Sequence, residues 1–73
     1  MAKTAKYNVG KIAGNVKKLR EKMELTREEL AKKAKVNYNT IIKLESGANT
    51  NPTINTLIGL SNVFRVTVEQ LIK

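Results

Sequence analysis

Cationic side chains carry most of the chemistry available to this chain. Fourteen lysines and arginines stand against six glutamates, a net charge of +8 on 73 residues. Such a surplus on a small body sets up a positive field that favours a polyanion. A lysine-rich soluble surface accounts for the charge equally well, so charge alone does not decide. The missing residue types are more restrictive. With no histidine, aspartate or cysteine, the chain lacks the usual general base, any Ser-His-Asp arrangement, disulfides and thiolate metal sites. Glu21, Glu24, Glu28, Glu29 and Glu69 fall where a solvated helix face or a helix cap explains them. No enzyme, metal site or cofactor is expected. Three aromatics, Tyr7, Tyr38 and Phe64, are too few for the stacking platform of a single-strand binder.

The elements that must position these groups are clearest between Thr26 and Gly47, TREELAKKAKVNYNTIIKLESG. Thr26 and Glu29 form a capping box, in which the threonine hydroxyl accepts from the Glu29 amide and the carboxylate accepts from the Thr26 amide, with a Leu25–Leu30 staple. Asn37 caps a second helix start, stapled by Val36 and Ile41. Two starts so close together force a bend, and Gly47 supplies a left-handed stop. The spacing predicts helices over Arg27–Ala34 and Tyr38–Ser46, with Leu30, Ala31, Ala34, Ile41 and Leu44 turned inwards. Tyr38, Asn39, Ile42 and Lys43 are left outside. Two short helices joined in this way form a helix-turn-helix, which presents the outer face of its second helix to the major groove of DNA.

Longer stretches carry a more specific likeness. LREKMELTREELAKKAKVNYNTIIKLESG followed by NPTINTLIGLSNVFRVTVEQLIK resembles the DNA-binding domain of the phage repressor and Cro family, the XRE-type regulators. The pieces are LR before the first turn, T-x-E-E-L-A, V-N-x-x-T-I-x-x-L-E-S-G, N-P-T-I-x-T-L and V-T-V-E-Q-L-I, spread over residues 9–73 in the family's order and spacing. The resemblance implies an all-α, compact five-helix, lambda-repressor-like domain with helices 2 and 3 as the helix-turn-helix. It further implies a transcriptional regulator, most often a repressor, that binds double-stranded DNA in a sequence-specific way. A homodimer on an inverted repeat, with half-sites about one helical turn apart, is the implied assembly. The alternative reading is a protein-interaction module on the same fold, such as an antitoxin; a third is an RNA-binding domain.

The resemblance also assigns roles. Tyr38, Asn39 and Lys43 match the positions that reach base edges, with Ile42 beside them. Asn39 can bond adenine bidentately, Lys43 can donate to guanine, and Ile42 or the Tyr38 ring can touch a thymine methyl; the Tyr38 hydroxyl can instead bond a phosphate. Thr26, Arg27, Asn37, Asn49 and Thr50 are the expected phosphate contacts. Arg27 stands where the family usually has a glutamine; the alternative is an exposed arginine that opposes the helix dipole. Arg20 is expected to pair with Glu45. Ala31 matches the closest approach of helices 2 and 3, where a small side chain is needed. Lys35 and Arg65 stand at turns where glycine is common, because the backbone there is left-handed.

The remaining chain fills in around this frame. MAKTAK, with Lys3 and Lys6, reads as a flexible basic arm over residues 1–7, reaching phosphate or simply disordered. The domain occupies 8–73. Val9, Ile12, Val16, Leu19 and Met23 step along one face of helix 1, predicted from about Asn8 to Lys22. Lys11, Lys17, Lys18 and Lys22 lie around it and can flank the DNA backbone. Thr53 caps helix 4, whose Ile54, Leu57, Ile58, Leu60, Val63 and Phe64 cover most of its circumference, as for a centrally buried helix. Thr67 and Gln70 form another capping box. Leu71 is the core residue of helix 5; Val68 and Ile72 are either a dimer contact or exposed aliphatics. No apolar run reaches the length of a membrane span and the N-terminus has no secretory h-region. The expected location is cytoplasmic.

Overall fold

In a computed structural model that describes residues 10–73, the chain forms helices α1 (Gly10–Lys22), α2 (Arg27–Ala34), α3 (Tyr38–Ser46), α4 (Ile54–Phe64) and α5 (Val68–Ile72), with no strand among the described residues. The basic arm, including Lys3 and Lys6, and the expected helix start near Asn8 lie outside them.

Each helix from α2 onwards begins at a side-chain cap. Thr26 and Thr67 form reciprocal boxes with Glu29 and Gln70. Asn37 accepts from the Asn39 amide, and Thr53 from the Thr56 amide. Such caps satisfy amides that have no partner inside the helix.

Three of the junctions share one construction. In Glu24-Leu25-Thr26, Lys35-Val36-Asn37 and Arg65-Val66-Thr67 the first residue is left-handed, with φ of 57°, 58° and 57°. The last caps the next helix. Between them the amides of Leu25, Val36 and Val66 donate to the carbonyls of Arg20, Ala31 and Ser61 at 3.1, 3.0 and 3.1 Å, and their side chains pack against the core. This is the bond pattern that closes a helix C-terminus, here without glycine. The left-handed turns expected at Lys35 and Arg65 are present. Glu24 is a third that sequence reading passed over.

The core unites Ile12 and Val16 of α1, Leu30, Ala31 and Ala34 of α2, Ile41 and Leu44 of α3, Leu60 and Phe64 of α4, and Leu71 of α5. Helix α1 packs on α3 and α5, while α2 packs on α3 and α4. Full burial of each leucine or isoleucine stabilises the fold by about 1.5–3 kcal/mol. Helix α4 comes so close to α2 that a Cβ on Gly59 would lie 2.4 Å from the Ala34 carbonyl oxygen. No larger residue fits there without moving backbone.

Two expectations are corrected. Met23 does not continue the buried face of α1: the helix ends at Lys22 and the side chain is exposed in the turn before left-handed Glu24. Helix α4 is not enclosed. Its buried line runs through Thr56, Leu60 and Phe64 with Ser61, and Ile54 and Ile58 fall on the far side, 61% and 45% exposed.

Candidate nucleic-acid interface

The outer face of α3 is open. Tyr38, Asn39 and Lys43 are exposed and Ile42 is half-buried, whereas Ile41 and Leu44 on the opposite side are fully enclosed. None of the first three uses its side chain in a hydrogen bond within the described residues, so their donors and acceptors remain for another molecule.

Polar groups at both ends of α3 and at the start of α2 keep spare donors. The Asn37 Oδ1 accepts from the Asn39 amide at 2.8 Å, which leaves its NH2 group to donate outwards. Thr26 Oγ1 accepts from the Glu29 amide at 3.0 Å and its own amide donates to Glu29 Oε1 at 2.8 Å; the hydroxyl proton is still available. After α3, the Asn49 amide donates to the Lys43 carbonyl at 3.0 Å and its Oδ1 accepts from the Asn51 amide at 2.9 Å. That ties the loop to the helix and again frees an NH2 group. Thr50 is exposed beside it. Amide and hydroxyl donors of this kind are able to bond phosphate oxygens beside a helix terminus.

Behind this surface lies a charged node that brings Arg20 and Glu45 together. Arg20 Nε donates to Glu45 Oε2 at 2.6 Å and Nη2 donates to Oε1 at 3.2 Å. Its Nη1 donates to the Leu25 carbonyl at 2.8 Å, so one guanidinium joins α1, the α1–α2 turn and α3. Glu45 Oε1 also accepts from Arg27 Nε at 2.9 Å. Only 3% of the Glu45 side chain is exposed, against 11% for Arg20 and 45% for Arg27. Burial pushes the Glu45 carboxyl upward, but the hydrogen bonds from Arg20 and Arg27 outweigh it and hold the group below the usual carboxylate range. The hydrogen bond to Glu45 outweighs desolvation at Arg20 and raises its pKa. Both stay ionised at neutral pH.

The bond from Arg27 to Glu45 was not foreseen from sequence, because nothing local relates residues 27 and 45. Lys17, Arg27, Ile42, Glu45 and Ser46 line one shallow cleft where α1, α2 and α3 meet, placing one of the α1 lysines beside the face of α3. Val68 and Ile72 are half-buried, and Ile72 packs against the core. Among the described residues no group of carboxylates could hold a metal ion, and no helix is long and apolar enough to cross a membrane.

Comparison with known proteins agrees with this geometry. Residues 16–71 match the model of the helix-turn-helix family HTH_3. The N-terminal DNA-binding domain of SinR from Bacillus subtilis superimposes with a TM-score of 0.84 at 31% identity, over 88% of this chain and 93% of that one. SinR, the master regulator for biofilm formation, in complex with DNA gives a TM-score of 0.80 at 32% identity, over 85% and 98% of the two chains. The restriction-modification controller protein C.AhdI from Aeromonas hydrophila shares the fold, with a TM-score of 0.77 at 19% identity over 86% and 94%. No curated protein sequence matches.

Proposed function

Since the chain belongs to the XRE-type helix-turn-helix family of DNA-binding transcriptional regulators, we propose that it is a repressor acting in the cytoplasm, which binds an inverted-repeat operator as a homodimer and lays α3 in the major groove. The observation that carries this reading is the division of α3: a side anchored by Ile41, Leu44 and Glu45 and an opposite side of uncommitted Tyr38, Asn39 and Lys43.

Asn39 and Lys43 read base edges, while Tyr38 and Ile42 supply apolar contact. Thr26, Arg27, Asn37, Asn49 and Thr50 grip phosphates on either side, and Lys3 and Lys6 extend the grip from the arm. Phosphate contacts set register and affinity, and base contacts specify. Val68 and Ile72 are the proposed protomer contact, and Ile54 and Ile58 of α4, a helix with no charged residue, offer further apolar surface to the same end.

Selection of bound duplexes from a random DNA pool at near-physiological salt tests the proposal. An inverted repeat is expected, with one base pair losing its preference in Asn39→Ala and a different one in Lys43→Ala. Survivors without any common motif, bound only at low salt, would overturn it in favour of a protein-interaction module.

A further inference from the structure

We infer that Glu45 is a positioning residue for DNA binding, holding the Arg27 guanidinium with one edge fixed and the other presented to a backbone phosphate. The inference rests on the proposed mode of DNA binding and concerns a group that never touches the nucleic acid.

Glu45 sits on α3 with its side chain almost wholly buried, in the cleft that it lines with Lys17, Arg27 and Ile42 at the margin of the open face. An acidic group there would oppose binding if it stood alone. It is matched by two guanidinium groups, so the node carries a surplus of one positive charge. The two arginines are used differently. Arg20 is 11% exposed and spends all three of its nitrogens on Glu45 and the Leu25 carbonyl. Arg27 is 45% exposed and commits only Nε. A guanidinium is a rigid planar fork with five N–H donors. Bonding Nε–H to Glu45 Oε1 therefore restrains where the fork points, and leaves the edge formed by Nη1 and Nη2 for a bidentate bond to phosphate oxygens.

Because Glu45 is itself locked by Arg20, the orientation is set before DNA arrives. A long flexible side chain then loses less freedom on binding. Lys17 lines the same cleft and adds a second cation to the phosphate position. A glutamine at position 27 would also reach phosphate, but without a charge to share with Glu45.

The test uses fluorescence anisotropy with a short random-sequence duplex over a range of salt, together with circular dichroism to confirm that each variant is helical. Arg27→Gln is expected to weaken binding about tenfold and to lower the salt slope by about one. Arg27→Lys keeps the charge and the slope, but cannot hold Glu45 and phosphate with one rigid fork; it is expected to lose about threefold or more. Glu45→Met should weaken binding although it raises the net charge by one from +8. In that background Arg27→Gln is expected to cost about threefold, the share that belongs to its charge alone.

Binding by Arg27→Lys equal to that of the natural chain, or an equal cost of Arg27→Gln with and without Glu45, would show Arg27 to be a simple point charge and overturn the inference alone. The Arg27→Lys result stands even if Glu45→Met fails to fold. A natural chain that does not bind duplex at all overturns the inference and the proposed DNA-binding mode together, which separates the two failures.

Discussion

On one side of α3, Ile41 and Leu44 have no solvent exposure and Glu45 is clasped by Arg20; on the other, Tyr38, Asn39 and Lys43 stand in solvent with unspent polar groups. The first side has its identity dictated by what surrounds it. The second is free of folding constraints, so on the proposed DNA-binding mode its residues are chosen by the base pairs they meet. A helix of 9 residues is too short to be stable in water by itself, and its direction must come from the packed side. That division separates orientation from specificity, and each side can be broken alone.

Leu44→Ala should have the largest effect, about 2–5 kcal/mol of stability through the cavity it leaves. Urea unfolding measures it, and DNA binding is expected to fall only in step with the folded fraction. The charged anchor comes next. Arg20→Met or Glu45→Met should cost about 3 kcal/mol by stranding a largely buried partner, and a double-mutant cycle should show that the two losses are strongly non-additive. Zero coupling would mean that α3 is oriented by its apolar side alone.

The same anchor has a pH signature. The Glu45 carboxyl is held below its ordinary value by Arg20 and Arg27 against the effect of burial. Its contribution is therefore fully present above the unfolded pKa of about 4.3 and is lost as pH falls through the lower folded value. Urea midpoints taken through this acid range should drop more steeply for the natural chain than for Glu45→Met.

Smaller effects sharpen the comparison. Lys35 holds the turn into α3 at φ 58°, where a Cβ is disfavoured, so Lys35→Gly is expected to raise stability by up to about 1 kcal/mol with DNA preference unchanged. On the open side Asn39→Ala and Lys43→Ala should change stability by less than about 0.5 kcal/mol while altering the selected duplexes. A loss of stability comparable to that of Leu44→Ala would place them in the scaffold.

How much of this was legible depended on the range of the interaction. The boundaries of α2 and α3, the capping box at Thr26 and the caps at Asn37, Thr53 and Thr67 were read correctly, because a cap bonds amides two or three residues away. Leu71 was correctly set in the core. Met23, Ile54 and Ile58 were placed wrongly because apolar spacing neither says where a helix stops nor which of several apolar lines a neighbour covers. Glu24 follows the same residue-apolar-cap pattern as Lys35 and Arg65, a signal carried by the sequence itself. The Arg20–Glu45 pair was reachable only through the family resemblance.

The sequence by itself determined the helix segments, their caps and the cationic balance, since each follows from composition or from contacts within one helical turn; the all-α class is what the family resemblance implied. Only the tertiary structure decided that Arg27 bonds Glu45 across 18 residues, that Gly59 lies against the Ala34 carbonyl, and that α4 keeps one face open. These depend on the distances between helix axes. Such distances emerge from packing all the core side chains at once, so no local pattern of residues encodes them.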